Sequence, residues 1–442
     1  MRHQKNKHNF LIRFLLVLFS CLVVGVVGYT AYQTILAKDD RVANHEKSNQ
    51  YGKTNKDSQP KSENNSEKTN EKGHAKSVSF YQHSEIINDK VSRLLENMTI
   101  EEKIGQMIVG GFQSTEPDEH IKRMIKDYHM GGVILFDRNM DTPSQVAGLT
   151  NQLQDIAYST DHQIPLSVGV DQEGGDIVRM KKYFSNIPSQ QALGKEGDEE
   201  KIKQLAVRTG EQLKAMGFTI NFAPVLDLSD SESRSFGRDP LKIGKYGSEV
   251  ITGLVKGGVT ATVKHFPGNG RSDVDPHKDT SSVEANQLDL ENSDIYPFKK
   301  VIKELDNDDF FVMVTHIKYP AYDAKNPASI SSIIMQDLLR KQLGYTGIVV
   351  TDDLEMGAVN KYFTYEDLGA QAVASGADML LVCHTEENQK KVFNGILNGV
   401  KTGKIKAERI DDAVQRILTY KYKHITETKV NADKAAEIFG DK

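Results

Sequence analysis

Short apolar runs punctuate the chain at 106–109, 132–136, 166–170, 219–222, 259–263, 311–314, 348–350 and 379–382. Stretches of helical period separate most of them, such as 203–216, 248–256 and 336–343. Residues 91–98 read as the end of an amphipathic helix. Thr99, ahead of Ile100-Glu101-Glu102, reads as the N-cap of the next one. Nearly continuous apolar strands alternating with helices predict a parallel sheet covered by helices. Eight such units within roughly 340 residues predict an α/β fold, a (β/α)8 TIM-type barrel forming a single catalytic domain. A doubly wound open sheet is the competing architecture.

The first 84 residues carry other patterns. Arg13 and Lys38 bracket an uncharged stretch, 14–37, preceded by Arg2, Lys5 and Lys7. As a helix it reaches across the roughly 30 Å of a bilayer core. The basic flank places the N-terminus in the cytoplasm and the rest of the chain outside. A cleaved signal peptide competes with this signal-anchor reading. So does a lipid anchor at Cys21, since Leu18-Phe19-Ser20-Cys21 loosely resembles a lipobox. Residues 38–77 are almost wholly polar and cannot bury enough apolar surface to offset their ordering entropy, so they read as a disordered tether. The expected organisation is a basic segment at 1–13, a transmembrane helix at 14–37, a polar linker at 38–84, the catalytic barrel at 85–425 and a tail at 426–442.

Composition narrows the choices further. A formal net charge of −5 argues against nucleic-acid binding. The two cysteines, Cys21 and Cys383, offer no zinc spacing and no expected intrachain disulfide. A hydrophobic share of 38% suffices for a large core once the N-terminal segments are set aside.

Candidate chemistry gathers where the apolar runs end. Asp171, Asp227, Lys264-His265, His316, Asp352 and Cys383-His384 follow the runs, whereas Gly132, Pro165 and Gly347 mark their starts. Barrel active sites lie at the C-terminal ends of the strands, so this polarity is the one a catalytic barrel requires. Asp352 and Asp353 are adjacent, and strand alternation lets only one face a substrate while the other caps or braces. After Lys264-His265 come Pro267, Gly268 and Gly270, which force an irregular loop carrying Asp275 and His277. An imidazole oriented by a carboxylate can donate and then remove a proton near neutral pH. A surface loop with incidental charges is the bland alternative for that pair. Helix capping is the bland alternative for Asp352, and solvation for Arg234. His265, Asp275, His277, His316 and Asp352 are also metal-ligand types, but no His-x-His opens such a site and Lys264 sets a cation beside it. No metal or cofactor is expected.

Six motifs, in this order, together resemble glycoside hydrolase family three, and within it the bacterial β-N-acetylglucosaminidases, over roughly 88–425. They are Met98-Thr99-Ile100-Glu101-Glu102-Lys103-Ile104-Gly105-Gln106-Met107, Gly131-Gly132-Val133-Ile134-Leu135-Phe136, Asp171-Gln172-Glu173-Gly174-Gly175, Asn221-Phe222-Ala223-Pro224-Val225-Leu226-Asp227, Lys264-His265-Phe266-Pro267-Gly268 followed by Asp275-x-His277, and Thr351-Asp352-Asp353-Leu354. The resemblance implies retaining hydrolysis, with Asp352 as nucleophile and His277, oriented by Asp275, as acid and then base. It also implies that Asp171, Arg179, Arg234, Lys264 and His265 hold the terminal sugar. Asp176, Pro276 and Asn269 depart from the family pattern without removing those side chains. Many family members carry a second domain that supplies a carboxylate acid. The end of this chain at Lys442 favours the Asp–His type and N-acetylglucosaminides.

The expected function is thus an exo-β-N-acetylglucosaminidase acting on peptidoglycan fragments or muropeptides, held on the outer side of the cell membrane. Phosphorolysis on the same scaffold and a non-catalytic surface carbohydrate-binding protein are the alternatives.

Overall fold

The computed structural model describes residues 78–82, 86–184, 187–272 and 281–440. The expected basic segment, the stretch 14–37 with Cys21, most of the linker, and the pair Asp275 and His277 lie outside these residues. Among the described residues no helix is long and apolar enough to cross a membrane.

The expected alternation is present as a closed barrel. In chain order come β1 Ile108–Gly110, β2 Gly132–Ile134, β3 Ser167–Val170, β4 Ile220–Asn221, β5 Thr260–Phe266 and β6 Phe310–Val314. A two-stranded antiparallel hairpin follows, β7 Lys318–Tyr319 with β8 Asp323–Pro327. Then come β9 Val349–Asp353 and β10 Met379–Val382. Around the ring the order is β1-β10-β9-β6-β5-β4-β3-β2, so the doubly wound sheet is excluded. All neighbours are parallel, and the ring closes where Ile108, Val109 and Gly110 pair with Leu380, Leu381 and Val382. Side chains of the first six barrel strands are buried throughout, which is why these strands read as unbroken apolar runs rather than alternating ones.

Local chemistry sets the helix starts. Thr99 caps the helix Ile100–Gln106 in a capping box, with Glu102 N–H donating to its hydroxyl and the Glu102 carboxylate accepting from Thr99 N–H at 2.7 Å. Pro143 and Pro240 occupy the first turns of Pro143–Tyr158 and Pro240–Lys256 behind the caps Thr142 and Asp239. The helices Glu199–Ala215 and Pro240–Lys256 cross at glycines. A Cβ on Gly253 would lie 2.6 Å from Ala206 Cβ, and one on Gly257 would lie 2.5 Å from the Val207 carbonyl. The segment expected as an ordinary helix at 336–343 is a π-helix, Ile333–Gln342.

The folded body reaches past both ends of 85–425. Phe80 stacks on Tyr422 with ring centroids 3.9 Å apart, and its N–H donates to the His162 carbonyl. At the other end the helix Ala432–Glu437 packs on Pro143–Tyr158, and Phe439 lies edge-on to Phe184.

One buried charge in this packing makes a prediction. Lys421, on the helix Ala407–His424, is fully buried and donates to Gln106 Oε1 (2.8 Å) and the Gly131 carbonyl (2.7 Å), with no carboxylate partner among the described residues. Burial pushes its pKa down to about 7 from 10.5. Between those values the unfolded chain binds a proton that the folded chain lacks, so stability rises with pH across that window. Below 7 both states are protonated and the burial penalty is fully present. Lys421→Met is expected to flatten this slope in melting curves taken from pH 6 to 10 (roughly the window of the shift). An unchanged slope would show that the lysine does not titrate there.

Candidate active site

The C-terminal mouth of the barrel holds a cavity of ≈ 670 Å³. Its walls include Asp171, Arg179, Arg234, Lys264, His265 and Asp352, six of the eight residues singled out from the sequence. The other two, Asp275 and His277, are those outside the described residues.

Each side chain is delivered by a strand or the loop just after one. Lys264 and His265 fall within β5, not beyond it, and both line the cavity. The peptide between them is cis, and the β5–β6 register shifts between Val263 and Phe266. Lys264 Nζ lies 2.8 Å from Asp171 Oδ1 and 2.7 Å from Glu173 Oε1. Arg234 grips the same Glu173 with both faces of its fork, Nε to Oε2 at 2.7 Å and Nη2 to Oε1 at 2.8 Å. Burial alone would raise the Glu173 pKa, but Lys264 and Arg234 outweigh it and hold it at about 2. Burial likewise opposes the Lys264 charge, and Asp171 and Glu173 more than offset it. The result is a locked plane of alternating charges along one wall.

Arg179 sits at the edge of this wall. Its nearest carboxylate oxygens are Asp137 Oδ2 at 3.5 Å and Asp171 Oδ2 at 3.7 Å, beyond good hydrogen-bond reach. Its buried Nε has no hydrogen-bond partner among the described residues. Asp176 instead accepts from the Ser233 hydroxyl, tying the β3 loop to the β4 loop beside Arg234.

His265 is fixed by Asp227, whose Oδ2 lies 2.7 Å from Nδ1. Asp227 Oδ1 accepts from the backbone N–H of His265 and of Asn269. Burial raises the Asp227 pKa, but His265 and these donors hold it below the usual carboxylate range. Nε2 of His265 is thereby left to the cavity.

Asp352, near the end of β9, forms no ion pair with any described cation. Its Oδ1 accepts from Asp353 N–H at 2.9 Å, and its Oδ2 accepts from no described residue. Burial would raise its pKa, but His265, His316, the Asp353 N–H and Lys264 keep it lowered. It is an ionised carboxylate with one uncommitted oxygen. His316 lies behind it, its pKa pushed down by burial. The Asp353 carbonyl, 2.9 Å away, can only accept, so Nε2 carries the proton and Nδ1 accepts from the Ser329 hydroxyl.

Both adjacent aspartates line the cavity, against the expectation of one. Asp353 nevertheless has the bracing part. Its Oδ1 accepts from the N–H of Glu355 and Cys383, and its Oδ2 lies 3.3 Å from His384 Nε2. The β9–β10 register shifts at this point, between Met379 and Leu381, which breaks simple alternation. Cys383 is buried against the cavity, and burial drives its thiol pKa well up, so it is a neutral thiol.

Three supporting residues were not named as site residues from the sequence: Glu173, Asp227 and His316. Glu173 carried a usable signal, because it stands two residues from Asp171 and period-two alternation returns it to the same face. Asp227 and His316 were visible as polar ends of apolar runs, but their partners are far away in the chain.

Eight parallel strands closed into a barrel, with ionised carboxylates and fixed cations at the C-terminal mouth, define a (β/α)8-barrel enzyme. Residues 99–420 match the glycosyl hydrolase family 3 N-terminal domain. The β-hexosaminidase of Nitrosomonas eutropha is 34% identical over 278 residues, 60% of this chain and 77% of that protein. β-Hexosaminidase A of Pseudoalteromonas piscicida is 30% identical over 338 residues, and the chain spans only 56% of its length. Among solved structures, a glycoside hydrolase family 3 β-N-acetylglucosaminidase from Paenibacillus sp. str. FPU-7 superposes with a TM-score of 0.70 at 34% identity, over 77% of this chain and 68% of that one. A β-N-acetylhexosaminidase from Beutenbergia cavernae gives 0.68 at 27% identity, over 74% and 99%. The chain belongs to glycosyl hydrolase family 3.

Proposed function

We propose that this glycoside hydrolase removes terminal β-linked N-acetylglucosamine from glycans with retention of configuration, and that its natural substrates are peptidoglycan fragments. The observation that carries the reading is Asp352, a half-buried, ionised carboxylate with one oxygen that accepts from no described residue, at the mouth of a family 3 barrel. The names of the relatives, β-hexosaminidase and β-N-acetylglucosaminidase, support the choice of sugar.

In this reading Asp352 Oδ2 attacks the anomeric carbon and the leaving oxygen takes a proton from His277, held by Asp275. Water, deprotonated by the same imidazole, then releases the sugar. Asp171, Arg179, Arg234, Lys264 and His265 hold the ring and its substituents. Because the Lys264–Glu173–Arg234 wall is already ion-paired, those donors are ordered before substrate arrives, and little reorganisation accompanies the reaction. We further propose that 14–37 anchors the chain in the cell membrane with the barrel outside.

The test is release of p-nitrophenol from its β-N-acetylglucosaminide, followed by product analysis on purified peptidoglycan fragments. Turnover that leaves the β-glucoside untouched, with the first-formed sugar in the β configuration, is expected. A first-formed α-sugar would overturn retention, and absence of turnover would overturn the activity.

A further inference from the structure

A second cavity, of ≈ 390 Å³, opens at the opposite end of the barrel. It lies where β6 and β9 begin, between Asn307 and Phe311 on one side and Thr346 to Ile348 on the other, against the helix Ala407–His424. It shares no wall residue with the catalytic cavity.

Its floor is aromatic. Phe311 and Tyr420 meet edge to face with centroids 4.8 Å apart, and both are buried. Around that floor stand solvent-exposed polar side chains with no partner among the described residues. Asn88, Thr346 and Gln415 make no side-chain hydrogen bond to any described residue, and neither does the Asp412 carboxylate. Arg416 spends only Nη1, on Asp378 Oδ1 (3.2 Å) and the Asp412 carbonyl (3.0 Å). Its Nε and Nη2 donate to no described residue. Asp378 itself is buried among Arg340, Arg409 and Arg416, so the guanidinium is anchored rather than free to swing away.

The charges of this wall decide the ligand class. Among the wall residues Arg416 is opposed in sign by the unpaired Asp412, and Asp308 is ion-paired with Lys423, so neither sign of charge dominates the lining. What remains is a set of donors and acceptors in about equal number above an apolar aromatic floor, in a volume typical of small-ligand sites. Polyhydroxylated rings have that complement: hydroxyls that both give and accept, and an apolar face of C–H bonds for an aromatic surface. We propose that this cavity is a second, non-catalytic saccharide site that binds a neutral oligosaccharide at the foot of the barrel. It would hold a glycan by one stretch while the mouth works on a free end, raising the effective concentration of ends.

The test uses the full chain with Asp352→Asn, to suppress turnover, titrated calorimetrically with N,N′,N″-triacetylchitotriose. The expected result is a binding step that the added pair Asn88→Ala and Gln415→Ala weakens about tenfold or more. Thr346→Tyr, which fills the cavity without replacing a residue of the Asp378 cluster, is expected to weaken the same step, with unchanged melting temperatures. In the otherwise unaltered enzyme these substitutions are expected to leave hydrolysis of the p-nitrophenyl glycoside within about twofold. Titrations that superimpose with and without the substitutions would overturn the site, whether or not the mouth binds or hydrolyses the sugar. The outcome is therefore independent of the catalytic reading.

Discussion

Asp352→Asn is expected to lower kcat/KM on an N-acetylglucosaminide by about 10⁴-fold or more while leaving the barrel folded. The amide keeps the shape of the carboxylate and its contact with the Asp353 N–H, but it cannot form the glycosyl ester. In the proposed mechanism it also removes the negative charge that would face the developing oxocarbenium ion. The lowered pKa of Asp352 adds a pH signature. Its protonation, and with it the acid limb of kcat/KM, should fall below the usual carboxylate range. Activity of the variant within tenfold of the parent, in protein shown to be free of parental enzyme, would remove Asp352 from the nucleophile's role.

The second large effect is on stability. Glu173→Ala is expected to cost ~3–5 kcal/mol, because it strands Lys264 and Arg234 in a buried wall with Asp171 as their remaining carboxylate. In a domain of this size that corresponds to a fall in melting temperature of roughly 4–7 °C. The pH dependence has a definite sign. Glu173 has its pKa lowered from 4.5 to about 2. Its contribution is fully present above the unfolded value and is lost as pH falls through the folded one. The variant should therefore be hurt most at neutral pH and converge on the parent near pH 2. Because Lys264 and Arg234 hold the sugar in the proposed reading, KM should rise as well. A melting temperature within ~2 °C of the parent would mean that the two cations find other partners.

The barrel was legible because its strands are buried on both faces. Burial on both faces removes polar interruptions, so each strand appears as an apolar run bounded by turn residues. The run at 106–109 was displaced for the same reason. Gln106 ends a helix and β1 begins only at Ile108, but apolar residues continue across the junction and periodicity cannot divide them. The hairpin β7–β8 left no such trace, since Asp323, Lys325 and Asn326 are polar and Pro327 ends it. In the site, single residues at strand ends were visible and their pairings were not. Lys264 and Glu173 are far apart in sequence, and only the ring order brings β3 and β5 to one wall. The acid/base pair, Asp275 and His277, was nominated from its spacing and then from family resemblance.

The first and last strands of the barrel are hydrogen-bonded neighbours, Ile108 with Leu380 through Gly110 with Val382. A ring zipped shut by its two extremities exposes no ribbon margin on which a foreign strand could grow. It also makes the ends of the catalytic body interdependent. Trimming the chain back past Met379 would not shave one layer from a stack but would bare two raw flanks at once, those of Ile108–Gly110 and Val349–Asp353. Such a protein should have no folded half to fall back on.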